Sequence, residues 1–154
     1  MTRTVELRSD TFTRPTEAMR RAMYEAEVGD DVWNEDPTVH RLEDLAAERL
    51  GMEAAVFLSS GTQGNLIGLL SHARPGSEVL VGHETHIFNA EAAGAAVVGG
   101  LQLRTLSNDE RGKISPAAIY AAIRSDDPHN PPTGCLGLEN SHNRCGGTVL
   151  SPAA

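Results

Sequence analysis

The sequence predicts an α/β chain, a mostly parallel sheet with flanking helices, and three observations carry that expectation. Four short apolar runs, 54–58, 78–81, 101–106 and 135–138, read as strands. Segments with apolar residues at helical spacing separate them, which implies βαβ crossovers and parallel pairing. The first run leads through Ser59-Ser60-Gly61-Thr62-Gln63-Gly64-Asn65 into Leu66, Ile67, Leu69 and Leu70, again at helical spacing. Strand, tight turn and helix start is how α/β proteins seat an anion.

Taken in order, Glu6 to Thr13 is polar and reads as extended. Pro15 suits the first turn of a helix on which Met19, Ala22, Met23 and Ala26 fall at i, i+3, i+4 and i+7, with Gly29 as its stop. Residues 1–30 are thus an N-terminal segment and helix, and 31–154 an α/β domain. The acidic loop Asp30, Asp31, Trp33, Asn34, Glu35, Asp36 follows. Carboxylate pairs can do acid–base chemistry, but Asp36 precedes Pro37 and a helix carrying Leu42, Leu45, Ala46 and Leu50. It reads as an N-cap, and Gly51 closes that helix.

The anion-turn unit ends at Pro75-Gly76, a turn dipeptide. Ile87 to Ala93 is expected to be helical, and Ser115-Pro116 opens a helix through Ile119 and Ile123. A proline-rich loop from Ser125 to Pro132 carries His129. Ser151-Pro152 is another helix start, yet Ala154 ends the sequence; the 31–154 domain is therefore expected to be incomplete, truncated at its C-terminus.

Composition excludes several classes of partner. With 154 residues, 40% hydrophobic and 22% charged, the chain can bury a core. No apolar run reaches membrane-spanning length, and Met1 to Glu6 lacks the apolar core of a secretory signal. A formal charge of −8 speaks against a nucleic-acid backbone. Cys135 and Cys145 are too few for a disulfide framework and too far apart for a redox pair, so both are expected as free thiols in a reducing cytosol. A nucleophile built from Cys145 and His142 has little else to support it.

At the 60–62 turn, the first amides of the helix have no intrahelical acceptor, and the dipole favours negative charge. Gly61 lets a ligand approach the backbone, and the hydroxyls of Ser60 and Thr62 can add donors. Either hydroxyl could equally serve only as a helix cap, and the turn alone leaves both readings open. A P-loop lysine and the three-glycine dinucleotide spacing are both lacking. Ligands of parallel sheets gather at the C-terminal edge, so Ser60–Thr62, His83–His86 and Glu139–His142 are expected together there. His83, Glu84 and His86 look like part of a zinc-protease helix. That motif needs histidines four apart on one helix face, and these are three apart, so no metal is expected.

Six stretches in order carry a family resemblance: Leu7-Arg8-Ser9-Asp10-Thr11, Val28-Gly29-Asp30-Asp31-Val32, Glu35-Asp36-Pro37-Thr38, Ser60-Gly61-Thr62, His86, and Leu138-Glu139-Asn140-Ser141-His142-Asn143. Together they resemble the low-specificity L-threonine aldolases, within the aromatic amino acid β-eliminating lyase and threonine aldolase family. That family has fold type I, aspartate aminotransferase-like, and uses pyridoxal 5'-phosphate. The resemblance covers nearly all of this chain but roughly the first half of a family member, part of its large domain. It implies aldol cleavage of L-threonine or L-allo-threonine to glycine and an aldehyde. It also implies a cytoplasmic homo-oligomer, dimer or tetramer, with sites at subunit interfaces.

The resemblance assigns roles by position. Ser60, Gly61 and Thr62 would hold the cofactor phosphate, and His86 would stack on the pyridine ring and influence proton transfer. His129 would reach the substrate hydroxyl, making it catalytic with His86 and also substrate-binding. Ser9 would help bind the substrate carboxylate, while Arg8 and Glu139 would support the site.

Two departures stand out. Trp33-Asn34 replaces the usual Tyr-Gly, and indole cannot act as a phenolic acid or acceptor. Lys113 is the only lysine, in a polar turn, and the family's Schiff-base lysine and its pyridine-pairing aspartate belong to a later segment. Three rivals therefore stand beside the aldolase reading: a related β-eliminating lyase, a catalytically silent fragment or assembly module, and an unrelated nucleotide-binding α/β protein.

Overall fold

The computed structural model describes residues 5–6 and 9–151; Leu7, Arg8 and Pro152, on which expectations were placed above, lie outside them. Two units separate along the chain, Met1–Phe57 and Leu58–Ala154.

In the first unit the polar stretch is not wholly extended: Asp10–Phe12 forms a 3-10 turn capped by Ser9. Helix α1, Glu17–Glu25, is capped by Thr16, whose Oγ1 accepts from the Met19 amide at 3.2 Å. Pro15 therefore lies ahead of the cap, outside the first turn. The helix also ends before Gly29, where Ala26 turns extended. Gly29 has another task. Its amide donates to Asp36 Oδ2 at 3.1 Å, and a Cβ there would stand 2.2 Å from the Glu35 carbonyl oxygen. The chain doubles back too closely for any other residue.

Asp36 caps helix α2, Pro37–Leu50, as its sequence context predicts. Its Oδ1 accepts from the Thr38 and Val39 amides, both at 2.9 Å. The Val39 and Gly29 N–H groups hold this carboxyl below its usual range. Gly51 ends α2 in the left-handed region at φ 63. Beyond it the 54–58 run is no strand. Among the described residues it has no ladder partner, and Val56 and Phe57 are exposed. An apolar run becomes a strand only when another strand takes up its amides and carbonyls.

In the second unit, helix α3, Gly61–His72, precedes a parallel sheet of β1 Glu78–Gly82, β2 Gln102–Leu106 and β3 Thr133–Gly137, in the order β2-β1-β3. Central β1 is buried along its whole length, matching the two-sided burial of parallel strands. Val79 and Val81 pack with Ala73, Ala95 and Leu101 into the core, joined by Leu69, Ile87, Leu103 and Cys135. Helix α6, Pro116–Ala122, follows Ser115.

The expected helix from Ile87 to Ala93 is instead two short ones, α4 His86–Asn89 and α5 Gly94–Val97. Ala92 and Ala93 part them with φ 51 and 57. A left-handed alanine costs roughly 1–2 kcal/mol, so tertiary structure has overridden a helix-favouring composition.

At the N-terminal edge of the sheet, Glu78 is fully buried against two arginines. Arg104 Nη1 lies 3.2 Å from Oε1, and Arg124 donates from Nε to Oε1 at 3.3 Å and from Nη2 to Oε2 at 3.2 Å. Burial alone would raise this carboxyl, but the Arg124 and Arg104 hydrogen bonds outweigh it and hold the group below its usual range. Among the described residues, no helix is long and apolar enough to cross a membrane.

Candidate active site

Helix α3 opens on Ser60, in extended backbone at φ −157, and its Oγ accepts from the Gln63 amide at 3.1 Å. The hydroxyl is thus the helix cap and still has its own proton to donate. Among the described residues the amides of Gly61 and Thr62 have no acceptor, and the first turn carries no acidic side chain. Nothing lies within 4 Å of where a Cβ on Gly61 would stand. Two free amides, an open approach and no opposing charge fit a phosphate.

His86 begins α4 just past the C-terminal end of β1. The intervening turn is tied by Thr85 Oγ1, which donates to the Gly82 carbonyl at 2.8 Å. The His86 amide donates to Glu139 Oε2 at 2.5 Å, and the other Glu139 oxygen accepts from the Asn143 amide at 2.8 Å. The expected meeting of the β1 and β3 ends is therefore present, with Glu139 as the joint. The His86 ring lies 2.7 Å through Nδ1 from Glu91 Oε1, which also accepts from Asn65 Nδ2 at 2.6 Å. Asn65 is one turn into α3, so this carboxylate connects His86 to the helix with the free amides.

The other candidates have partners of their own. His129 is bonded within its own loop, with its amide and ring Nδ1 each 2.8 Å from Asp127 Oδ1, and its side chain is 91% exposed. The His129 amide, and then its ring, hold the Asp127 carboxyl below its usual range. Ser9, in the first unit, accepts from Thr11 Oγ1 at 2.9 Å and donates to Asp10 at 3.2 Å. Trp33 ends the 3-10 turn Asp31–Trp33, and Asn34 takes the left-handed backbone at φ 58 with its Oδ1 2.8 Å from His40 Nε2. Asparagine is among the few residues at ease there without being glycine, so the Trp-Asn departure keeps the turn.

His83 Nδ1 accepts from the Asn108 amide at 3.2 Å, and Lys113 sits in a turn whose amides bond Asp109. His142 is buried, and among the described residues neither ring nitrogen has a hydrogen-bond partner; Glu139 Oε1 stands 3.7 Å from Nδ1. Cys135 and Cys145 are free; burial pushes both thiols up, with Glu84, Glu139 and Asp109 adding to the effect at Cys145.

Sequence reasoning missed Asn65, Glu91 and Asp127. The signal for Glu91 was a lone carboxylate in the small apolar stretch Ala90-Glu91-Ala92-Ala93-Gly94, and for Asp127 an acid two residues before a candidate histidine.

The family model of beta-eliminating lyases matches residues 6–154. The chain belongs to that family. Among beta-eliminating lyase relatives, it is 51% identical over 151 residues to the probable low-specificity L-threonine aldolase 2 of Arabidopsis thaliana, covering 96% of this chain and 42% of that protein. It is 48% identical over 139 residues to the low specificity L-threonine aldolase of Escherichia coli (strain K12), covering 90% and 42%. A solved Leishmania major threonine aldolase superposes with a TM-score of 0.65 at 26% identity, over 82% of this chain and 36% of that one. The chain thus spans about two fifths of the length of the curated relatives it matches. The α/β architecture and the fold-type I expectation agree with that neighbour, and the family is one of pyridoxal-phosphate enzymes.

Proposed function

We propose that this chain serves the aldol cleavage of β-hydroxy amino acids, L-threonine or L-allo-threonine, to glycine and an aldehyde. The observation that carries the reading is the placement of His86. Its amide is tied to Glu139 at the sheet's C-terminal edge, and its ring shares a carboxylate with the helix that has two free amides. The names of the relatives support the same chemistry.

The Gly61 and Thr62 amides, with the Ser60 and Thr62 hydroxyls, would hold the phosphate of pyridoxal 5'-phosphate, and His86 would face its ring. When bound, the cofactor supplies an electron sink for breaking the Cα–Cβ bond. The imidazoles of His86 and His129 would take and return the β-hydroxyl proton, since an imidazole has one nitrogen that can accept a proton and one that can donate it. Ser9 contributes to the substrate carboxylate. Residues 1–30 serve as an N-terminal segment and helix, and 31–154 as part of the cofactor-binding domain. The setting is a cytoplasmic homo-oligomer with sites at subunit interfaces.

Kinetics on His86→Asn, in the product of the complete coding sequence, tests the assignment. Turnover of threonine falls about 10²-fold or more, with glycine and aldehyde as products of the unaltered enzyme. Unchanged turnover removes His86 from the role, and ammonia with a keto acid in place of glycine assigns a β-elimination instead.

A second reading has its own observation. The single lysine, Lys113, lies in the Asp109 turn and not at the site, which favours a catalytically silent chain when these residues stand alone. Addition of pyridoxal phosphate to the 154-residue chain, followed by borohydride, then leaves no cofactor attached to lysine.

A further inference from the structure

We propose that Glu91 is the positioning residue of His86: it fixes the ring's tautomer and, through Asn65, ties the ring to the anion-seating helix. This rests on the role given to His86 above.

Glu91 is 7% exposed, and a carboxylate so buried needs partners. Among the described residues it has two, and neither is an arginine or lysine. Asn65 Nδ2 stands 2.6 Å away and His86 Nδ1 2.7 Å away, both on Oε1. An ionised carboxylate only accepts hydrogen bonds, so Nδ1 carries the ring proton. Nε2 of the neutral imidazole is then left with its lone pair. The side chain is 41% exposed, and Nε2 has no partner among the described residues. The nitrogen that can accept a proton is therefore the one left open.

Two further observations separate this arrangement from an incidental contact. Ala92 and Ala93, directly after Glu91, both hold left-handed backbone that alanine disfavours. Had this stretch continued α4 as a regular helix, no such strain would arise, and strain held next to a site is commonly part of how the site is built. Asn65 also stands four residues after Gly61, on the same face of α3. One carboxylate oxygen thus relates the ring to the helix terminus. A purely structural Glu91 would hold elements together without dictating which ring nitrogen bears hydrogen.

The test reads that nitrogen directly. Cofactor-free protein from the complete coding sequence is labelled with ¹⁵N-histidine, and long-range ¹H–¹⁵N spectra are recorded near pH 7.5, with His86→Asn providing the assignment. The unaltered protein shows His86 with hydrogen on Nδ1. In Glu91→Leu the side chain offers Nδ1 no acceptor, so the ring is no longer held as Nδ1–H and the Nε2–H tautomer gains population. In the loaded enzyme kcat falls about 10-fold or more while KM stays within about twofold, as expected for a misplaced proton acceptor.

His86 protonated on Nε2 in the unaltered protein overturns the proposal outright, and that spectrum needs no variant should Glu91→Leu fail to fold. Retention of Nδ1–H in Glu91→Leu overturns it as well. Failure here is distinguishable from failure of the functional reading. Unchanged turnover in His86→Asn would sink the catalytic role of the ring and leave the tautomer result standing.

Discussion

Glu78 at one edge of the sheet and the Glu91–Glu139 pair at the other are held in opposite ways. At the N-terminal edge Glu78 has no exposed surface and meets two cationic partners, Arg104 and Arg124. At the C-terminal edge Glu91 and Glu139 meet, among the described residues, no arginine or lysine but an asparagine, backbone amides and imidazoles. There, too, among the described residues, the Gly61 and Thr62 amides stand free, the His142 ring has no hydrogen bond, and two alanines hold left-handed backbone. One edge is saturated and serves stability. The other keeps unsatisfied groups and strain, which is what a site that must still take up a ligand requires.

The largest expected effect breaks the saturated edge. Glu78→Ala leaves two guanidinium groups without their carboxylate and destabilises the fold by about 3 kcal/mol, the low end for a broken buried pair, because each arginine is one-third exposed and can rehydrate. Urea unfolding measures it, and a loss too small to detect would remove the contrast. The pH dependence has a definite sign. A carboxyl held low contributes stability that is present above its unfolded value, near 4.5, and is lost as pH falls through the lower folded value. Between pH 7 and 3 the unaltered protein therefore loses stability more steeply than Glu78→Gln.

A smaller effect, of opposite sign, concerns the strained edge. Ala92→Gly removes the Cβ that makes φ 51 costly and raises stability by about 1 kcal/mol. If the midpoint falls instead, the left-handed turn is not strained and the edges differ less than proposed. Retention of the His86 tautomer in this variant shows that relief of strain leaves the ring's tether intact.

What could be read in advance follows the range of each interaction. The Asp36-Pro37 start of α2 was legible because cap, proline and first amides are sequence neighbours. Val79 to Val81 was legible because a strand buried on both faces is continuously apolar. The 54–58 run carried the same signal and misled, since a ladder partner is a distant matter that no local pattern reports. The break at Ala92-Ala93 was invisible for a related reason: alanine favours helix, and only contacts from elsewhere force it out. In the site, Ser60 and His86 could be named by position. Glu91 could not, because its bond to Asn65 spans 26 residues.

The smallest effect sharpens the comparison within the second unit. His129–Asp127 repeats the geometry of His86–Glu91, 2.8 Å against 2.7 Å, but between residues two apart in an exposed loop. Water screens such a pair, and its contribution to stability is slight. Asp127→Asn therefore leaves the urea midpoint unchanged within error, since the asparagine oxygen can still accept the His129 amide. In Asp127→Ala, by contrast, the ring loses its only acceptor among the described residues, and ¹⁵N spectra at neutral pH show His129 in both tautomers. In the unaltered protein the charge of this carboxylate is lost only as pH falls below 3.8 through the lowered Asp127 value. A midpoint loss approaching that of Glu78→Ala would mean that the loop is held by this pair, and that exposure does not separate the two carboxylate tethers.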